Sequence, residues 1–191
     1  MVGLLEDGTV KALGSSLSEK DRATVHAWND IVAIAQHGTF VVGLQSDGSV
    51  VAAGEYPGLD DVNQWKDIVA LSAYNDTFGL KRDGTVVAAG PCKFGGCKVE
   101  DWSDIIAIAA GAHHTIGLKR DGTVLSTGDN SYGQRNIEDW TDIVAVDASF
   151  YYTIGLKRDG TLVLAGDSSL GGTPTPVVSD MSGLLVPTSK K

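Results

Sequence analysis

Apolar residues recur along the chain in short runs rather than at helical spacing. The clearest run is IIAIA at 105–109, in which large and small apolar side chains alternate. A period of two predicts a β-strand, and apolar residues on both faces predict a strand buried on both sides. TIGLK at 115–119 and TVLSTG at 123–128 predict two more strands, joined by an Asp-Gly turn that we expect to be of type I′. The loop that follows has room for a short fourth strand, so the unit is a small antiparallel sheet.

This unit repeats along the chain with a nearly constant period. The Asp-Gly turns step by 40, 36, 38 and 38 residues, and four tryptophans step by 37, 37 and 38; their positions are Asp7, Asp47, Asp83, Asp121 and Asp159, and Trp28, Trp65, Trp102 and Trp140. A fixed period of this length indicates a repeat architecture, and no sustained helical period supports an α-solenoid. We therefore predict an all-β fold, a β-propeller of about five blades with three to four antiparallel strands each.

The repeats cover residues 1–191 as a single predicted domain. Their approximate bounds are 2–28, 29–65, 66–102, 103–140 and 141–178, with a closing strand and tail at 179–191. The first repeat starts without an inner strand, and 181–186 align with the inner strands, with Val178 at the tryptophan position. We expect the two ends of the chain to share one blade, which would remove an open sheet edge. The alternative is a ring that is completed by a second chain.

The recurring tryptophan immediately precedes the inner strand in each repeat. Because it keeps one register in successive repeats, we expect it to pack between blades rather than to bind a ligand.

The charge of the chain limits the kinds of partner. Of 191 residues, 24 are acidic and 15 are basic, which gives a net charge of −9. This charge opposes nonspecific binding to nucleic acid or to an anionic membrane, and no apolar run is long enough for a transmembrane helix. Lys-Arg pairs at 81–82, 119–120 and 157–158 precede the turns, where we interpret them as solvated charges that blunt strand edges; an anion-binding rim is the alternative. No secretory signal is recognisable, but a signal removed earlier would leave no trace, so the compartment stays open.

Two cysteines, Cys92 and Cys97, lie in one inter-strand loop. They predict a local disulfide in an oxidising compartment or two free thiols in a reducing one. Two cysteines do not complete a tetrahedral zinc site, and no further ligand is adjacent in sequence. We therefore expect no metal and no cofactor.

The repeat resembles a known family. The pattern W-x-D-I-[VI]-A-[IV]-A-A-G-x-x-H-T-[IV]-G-L-K-x-D-G-T-V, clearest at 102–124, and GDNSYGQ at 128–134 resemble the regulator of chromosome condensation repeat family. The repeats are similar to the short bacterial type found in the propeller-type β-lactamase inhibitor protein. The resemblance covers essentially the whole chain and implies a propeller, although family propellers commonly have seven blades. The inhibitor similarity implies a secreted protein that binds another protein through one aromatic-rich face.

Differences between the repeats indicate where a site lies. The loops between first and second strands diverge most, and strand direction places them at the end opposite the Asp-Gly turns, together with the loops that follow each third strand. Aromatic residues with few lysines are typical of protein-binding surfaces. The predicted partner-binding residues are His37, Phe40, Tyr74, Asn75, His113, Tyr132, Phe150, Tyr151 and Tyr152. For some of them, especially Phe40, His114 and Tyr152 just before or at the second strand, the alternative is inward packing.

No motif for catalysis is present. There is no G-x-S-x-G elbow, no glycine-rich phosphate loop that opens a helix and no calcium-binding D-x-[DN]-x-[DN]-G loop. Adjacent strand residues point to opposite faces, so His113 and His114 do not readily share a metal. We predict a noncatalytic, monomeric, protein-binding module, with enzyme inhibition as the more specific form of this role and a ring-completing dimer as the other oligomeric state. The alternatives are a carbohydrate-binding, lectin-like propeller and a structural repeat segment of a larger assembly.

Overall fold

The computed structural model describes residues 1–14 and 16–167. Its strands are β1 (Val2–Leu4), β2 (Val10–Ala12), β3 (Ile31–His37), β4 (Phe40–Gln45), β5 (Val50–Gly54), β6 (Ile68–Ala73), β7 (Thr77–Lys81), β8 (Val86–Ala89), β9 (Ile105–Ala110), β10 (His114–Lys119), β11 (Val124–Gly128), β12 (Ile143–Ala148), β13 (Tyr152–Lys157) and β14 (Leu162–Gly166). Two short helices, α1 (Glu19–His26) and α2 (Leu59–Val62), and a 3₁₀ turn at Lys93–Gly95 lie in loops between them. Within the described ranges, no helix is long and apolar enough to cross a membrane.

The strands form four three-stranded antiparallel sheets and one two-stranded hairpin. The sheets pair in the orders β3-β4-β5, β6-β7-β8, β9-β10-β11 and β12-β13-β14, and β1 pairs with β2. The first strands contact one another from sheet to sheet, β3 with β6, β6 with β9 and β9 with β12, so they are the inner strands of successive blades. The predicted all-β propeller fold is confirmed. In the described residues, the loops with room for a fourth strand contain the short helices and turns instead.

The β1-β2 hairpin occupies the middle and outer positions of a blade. β1 contacts β3 as β4, β7 and β10 contact β6, β9 and β12, the inner strands of the blades that follow them. The predicted closing strand at 181–186, and Val178 at the tryptophan position, lie outside the described residues. Closure by the two ends of one chain therefore stays a prediction.

The Asp-Gly turns differ from the expected type. In the third of them Gly84 has φ of +84°, whereas Asp83 is not among the residues with positive φ, so a type I′ turn is excluded. The Gly84 amide donates to Lys81 O and the Lys81 amide to Thr85 O, which describes a type I turn closed by a left-handed glycine. Asp83 Oδ1 accepts from the backbone N and Oγ1 of Thr85 at 2.9 and 2.7 Å, and these bonds lower the pKa of Asp83. The aspartate thus stabilises the turn through its side chain, not through a left-handed backbone.

Each of the first four Asp-Gly turns is bonded to the next blade through its backbone. The Ile105 amide donates to Gly84 O at 3.0 Å, while Asp104 O accepts from the Arg120 amide of its own blade at 3.1 Å. Asp104 itself has φ of +60°, a left-handed conformation that aspartate tolerates better than most residues. The same amide-to-glycine bond recurs from Ile31, Ile68 and Ile143 to Gly8, Gly48 and Gly122. Backbone hydrogen bonds therefore fix the position of one blade on the next.

Tryptophan fills the space between blades, as predicted. Trp102 is 7% exposed and packs in one apolar cluster with Phe78 and Leu80 of the preceding blade and Ile105 of its own. Its ring lies against Gly117 in the middle strand, where an added Cβ would be 2.6 Å from the ring. Trp28 and Trp65 are equally buried in the equivalent clusters, whereas Trp140 is only half-buried.

The inner strands are not buried on both faces along their whole length. In the sheet β9-β10-β11, the pairing of β9 with β10 shifts register between Leu118 and Lys119, and Ile106 is 43% exposed. The other three-stranded sheets have the same irregularity near the start of the inner strand. A β-bulge at this point turns one apolar side chain towards solvent, which the simple alternation in the sequence does not reveal.

The contact between turn and blade predicts a large cost for Gly84→Ala. Alanine at φ of +84° carries a cost of about 1–2 kcal/mol for the left-handed conformation. Its Cβ would also lie 3.2 Å from Asp104 N in the next blade, which adds strain of about 1–3 kcal/mol. Gly38→Ala is the matched control, because Gly38 has φ of +57° and a Cβ added there would have no described atom within 4 Å. Urea unfolding should show a clearly greater loss of stability for Gly84→Ala; equal losses would contradict the role of this contact.

Candidate functional site

The loops opposite the Asp-Gly turns bring aromatic rings from different blades together. His37 stacks on Tyr74 with ring centroids 4.1 Å apart, and Tyr74 meets the edge of Phe150 at 5.2 Å. Phe150 lies 5.7 Å from Tyr151, whose ring lies 4.4 Å from that of Tyr132. These five residues, which we call the aromatic row, form a continuous series of ring contacts over four repeats.

The aromatic row is partly open to solvent. Phe150 and Tyr132 are 44% and 43% exposed, and the other three members are half-buried. Burial lowers the pKa of His37, which favours its neutral form in the stack. Burial also raises the pKa of Tyr74, with a further contribution from Tyr151 and Tyr152, so the tyrosine stays a neutral hydroxyl donor. The row thus presents an uncharged surface with hydroxyl groups near its rings.

A cleft of about 210 Å³ lies at the same end of the molecule. Its lining, which defines the Asp76 cleft, consists of Tyr56, Asn75, Asp76, Pro91, Lys93 and His113. Asp76 is 6% exposed, and its Oδ1 accepts from Cys92 N at 2.9 Å and, at a longer 3.5 Å, from the Tyr56 hydroxyl. Burial raises the pKa of Asp76, while the bonds from Cys92 and Tyr56 and the nearby His113 act in the opposite direction.

One loop contributes to both features. Tyr74 lies in the aromatic row, the next two residues line the Asp76 cleft, and the Tyr74 amide donates to Asp76 O at 3.0 Å. The Asn75 side-chain amide donates to Ala112 O in the next blade at 2.7 Å. The row and the cleft are therefore adjacent parts of one surface, held by contacts between blades.

The structure separates the predicted site residues into surface and core. Phe40 is 2% exposed and stacks on Tyr56 at 4.2 Å, so including it among the partner-binding residues was wrong. Its position, paired with Gly54 at the start of the middle strand, turns its ring into the space between blades. His37, Tyr74, Phe150, Tyr151 and Tyr132 come together in the aromatic row, whereas Asn75 and His113 line the cleft.

Three further residues lie in or beside these loops. Tyr152 is half-buried at the start of β13 and has no recorded ring contact in the described part of the chain. Phe94, which is 63% exposed and contacts His113 at 4.6 Å, was not among the predicted site residues. Its position in a loop that follows a third strand indicated that Phe94 lies at this end of the molecule. Strand direction also placed the loop of Asp76 at this end, but the burial of its carboxylate was not predicted, because it depends on contacts that are distant in sequence.

Of the two predicted states of the cysteines, disulfide and free thiols, the structure has the disulfide, which joins Cys92 to Cys97. Ligand atoms of both cysteines and of Asp76 lie within 4.8 Å of one another. A disulfide carries no thiolate, which is the form of cysteine that binds metal. The paired cysteines therefore hold the loop beside Asp76 and do not make a metal site.

His114 is a core residue, as the inward alternative proposed. It is 1% exposed, and its Nε2 lies 2.9 Å from Thr153 Oγ1, which donates its own hydrogen to Gln134 O at 2.7 Å. Nε2 must therefore carry the proton of the neutral ring, while the buried Nδ1 has no hydrogen-bond partner. Burial lowers the pKa of His114 to about 4, with a smaller contribution from Arg135.

These blades and loops define a β-propeller whose repeats present variable loops at one end. Residues 105–134 match the model of the regulator of chromosome condensation (RCC1) repeat, the family that the sequence pattern resembles. No curated protein matches the chain significantly. The similarity to the β-lactamase inhibitor protein stays a prediction.

Solved structures support the same fold. The ectodomain of the receptor kinase CR4 from Physcomitrella patens matches with a TM-score of 0.69 and 18% identity over 86% of this chain and 49% of that one. Yeast RCC1 (Prp20), solved bound to Kap60, matches with a TM-score of 0.59 and 20% identity over 74% and 44% of the two chains. Prp20p from Saccharomyces cerevisiae, described with its binding to Gsp1p and histones, gives a TM-score of 0.56 and 19% identity over 73% and 46%. The chain thus spans about half the length of these structures.

The neutral state of His114 predicts a specific pH dependence of stability. Its pKa in the folded protein lies below the ordinary value of 6.5, so its contribution is present above pH 6.5 and is lost as the pH falls towards about 4. The full loss is on the order of 3 kcal/mol. Unfolding free energies measured between pH 7 and pH 4 should therefore decline less steeply in His114→Gln than in the wild type. His113→Gln is the matched control, and an identical pH profile for all three proteins would contradict the assignment.

Proposed function

We propose that this chain is a noncatalytic protein-binding module and that the aromatic row is its main contact surface. The observation that carries the proposal is the continuity of the row, in which five rings from four separate segments touch in sequence. Rings that are already packed lose little conformational freedom on binding, and tyrosine combines apolar area with a hydroxyl group. Such residues are typical of the centre of protein interfaces.

The comparisons support a protein partner rather than another kind of ligand. The structures of yeast RCC1 concern its complex with Kap60 and its binding to Gsp1p and histones. From these proteins we transfer to this chain only the general use of a propeller as a protein-binding scaffold. A net charge of −9 favours a partner with a neutral or basic surface.

The more specific proposal is an enzyme inhibitor that presents the aromatic row to its target. This form rests on the sequence resemblance to the propeller-type inhibitor protein. A row of neutral aromatic side chains is suited to cover an apolar rim on another protein, since few polar groups are desolvated in the contact.

The lectin alternative receives less support from this geometry. A propeller lectin with equivalent sugar sites would repeat one set of side chains in each blade. Here the loops between first and second strands differ from blade to blade, with Tyr151 at the position that corresponds to His113. The rings of the aromatic row join into one asymmetric surface.

Partner capture with a variant of the row tests the proposal. Tyr74→Ser/Tyr151→Ser removes two of the five rings, and we expect about a thirtyfold or greater loss of affinity, since one interface hot spot contributes on the order of 2 kcal/mol. Wild type and variant are used as baits in the source cell extract and medium, and the affinity of the captured protein is measured by surface plasmon resonance.

The control is Val32→Ser/Val69→Ser, which removes two exposed apolar side chains near the Asp-Gly turn end of the blades. All three proteins must first have comparable melting temperatures. Equal affinity of the tyrosine variant and the wild type, or an equal loss in the valine control, would contradict the proposal.

A further inference from the structure

The carboxylate of Asp76 is buried without a positively charged partner. Its side chain is 6% exposed, and both recorded donors, Cys92 N and the Tyr56 hydroxyl, bond to Oδ1. Among the described residues no donor is recorded for Oδ2. Gly96 leaves room beside this oxygen, because a Cβ at that position would lie 3.4 Å from Oδ2.

The surroundings do not neutralise this charge. His113 is the one titratable group recorded as stabilising the ionised form through its charge. Lys93 is exposed and lines the cleft, and no ion pair between it and Asp76 is recorded in the described part of the chain. A buried carboxylate without a cation is unfavourable, and its raised pKa reflects that cost.

The size and walls of the cleft restrict what can compensate the charge. A volume of about 210 Å³ is below the roughly 300–1,000 Å³ typical of small-molecule sites, so it suits one side chain better than a whole ligand. Tyr56 and Pro91 line it, and the ring of Phe94 contacts His113 at its edge. Flat side chains beside a carboxylate suit a planar cation, because guanidinium groups stack on rings while donating in their own plane.

We propose that the Asp76 cleft binds an arginine side chain of the protein partner, whose guanidinium donates a hydrogen bond to Asp76 Oδ2. This inference rests on the proposed function and adds a chemical requirement to it. The aromatic row provides apolar contact area, and the cleft beside it selects a partner with an arginine at the matching position. The charge of −9 on the chain acts in the same direction over longer distances.

Asp76→Asn separates binding from folding. The variant retains a side-chain oxygen for the Cys92 amide but removes the buried charge. Because the pKa of Asp76 is raised in the folded protein, its stabilising contribution is present at low pH and is lost as the pH rises through the folded value. At pH 7 we therefore expect the variant to melt at the same temperature as the wild type or at a higher one.

The binding test uses a defined probe and does not require the partner. The peptide acetyl-Gly-Arg-Gly-amide is titrated into ¹⁵N-labelled protein, and the amide signals of Cys92 and Gly96 are followed by NMR. We expect saturable shifts with this peptide, and at least tenfold weaker binding of the same peptide with citrulline, which keeps the shape of arginine but lacks its charge. The same loss is expected for the arginine peptide and Asp76→Asn, whereas Val32→Ser/Val69→Ser should bind like the wild type.

The outcomes distinguish this inference from the proposed function. Saturable shifts that depend on both the guanidinium charge and Asp76 support it. Equal binding of the citrulline peptide, unchanged binding by Asp76→Asn, or no saturable shift overturns it, even if partner capture still depends on the aromatic row. Conversely, capture that is insensitive to the row would overturn the proposed function while leaving a positive peptide result intact.

Discussion

The backbone bond between each Asp-Gly turn and the next inner strand is the constraint on which the structure depends. An isoleucine amide donates to a glycine carbonyl at 3.0–3.1 Å at all four described junctions. This bond fixes the register of neighbouring blades, and the tryptophan of the same repeat then packs on a middle-strand glycine between them. Because the turns are held at one end of the molecule, the loops at the other end are free to differ. The repeats therefore share their backbone geometry at the turns and differ in their side chains at the opposite loops.

The surface at the variable end depends on contacts that cross between blades. Tyr74 touches His37 on one side and Phe150 on the other, although these residues come from three different blades. The neighbouring Asn75 bonds to Ala112, and the Cys92 amide bonds to Asp76. The disulfide between Cys92 and Cys97 limits the freedom of the loop that supplies that amide. Row and cleft are thus positioned in advance, which reduces the entropy lost on binding. The buried Asp76 has the opposite effect on folding, so the same carboxylate that suits a cation lowers stability in the free protein.

The repeats made it possible to predict the fold from the sequence, whereas the candidate site could be predicted only in part. The spacing of Asp-Gly turns and tryptophans predicted the blades, and strand direction predicted the end at which the aromatic loops meet. The predicted turn type was wrong, because Asp-Gly suits both type I′ turns and type I turns closed by a glycine, and local sequence does not separate the two.

The orientation of single side chains was harder to predict. The exposure of Ile106 depends on a bulge, which interrupts the period of two. Phe40 was placed on the surface although its ring packs on Tyr56 inside, because one residue of register decides which side of a strand faces the core. The Asp76 cleft joins residues that are 16–20 positions apart in sequence. This separation does not match the period of the repeats, so the repeat pattern did not predict that these residues lie close together.

We assign a different role to each end of the molecule, assembly to the turns and binding to the aromatic loops. Hydrogen–deuterium exchange of the protein with and without its bound partner tests this division most directly, because it reports both ends in one measurement. Slower exchange on binding is predicted in the segments around 72–77, 129–135 and 149–152, with no change at the Asp-Gly turns. Protection confined to the turns, with unchanged exchange in the aromatic loops, would contradict the account.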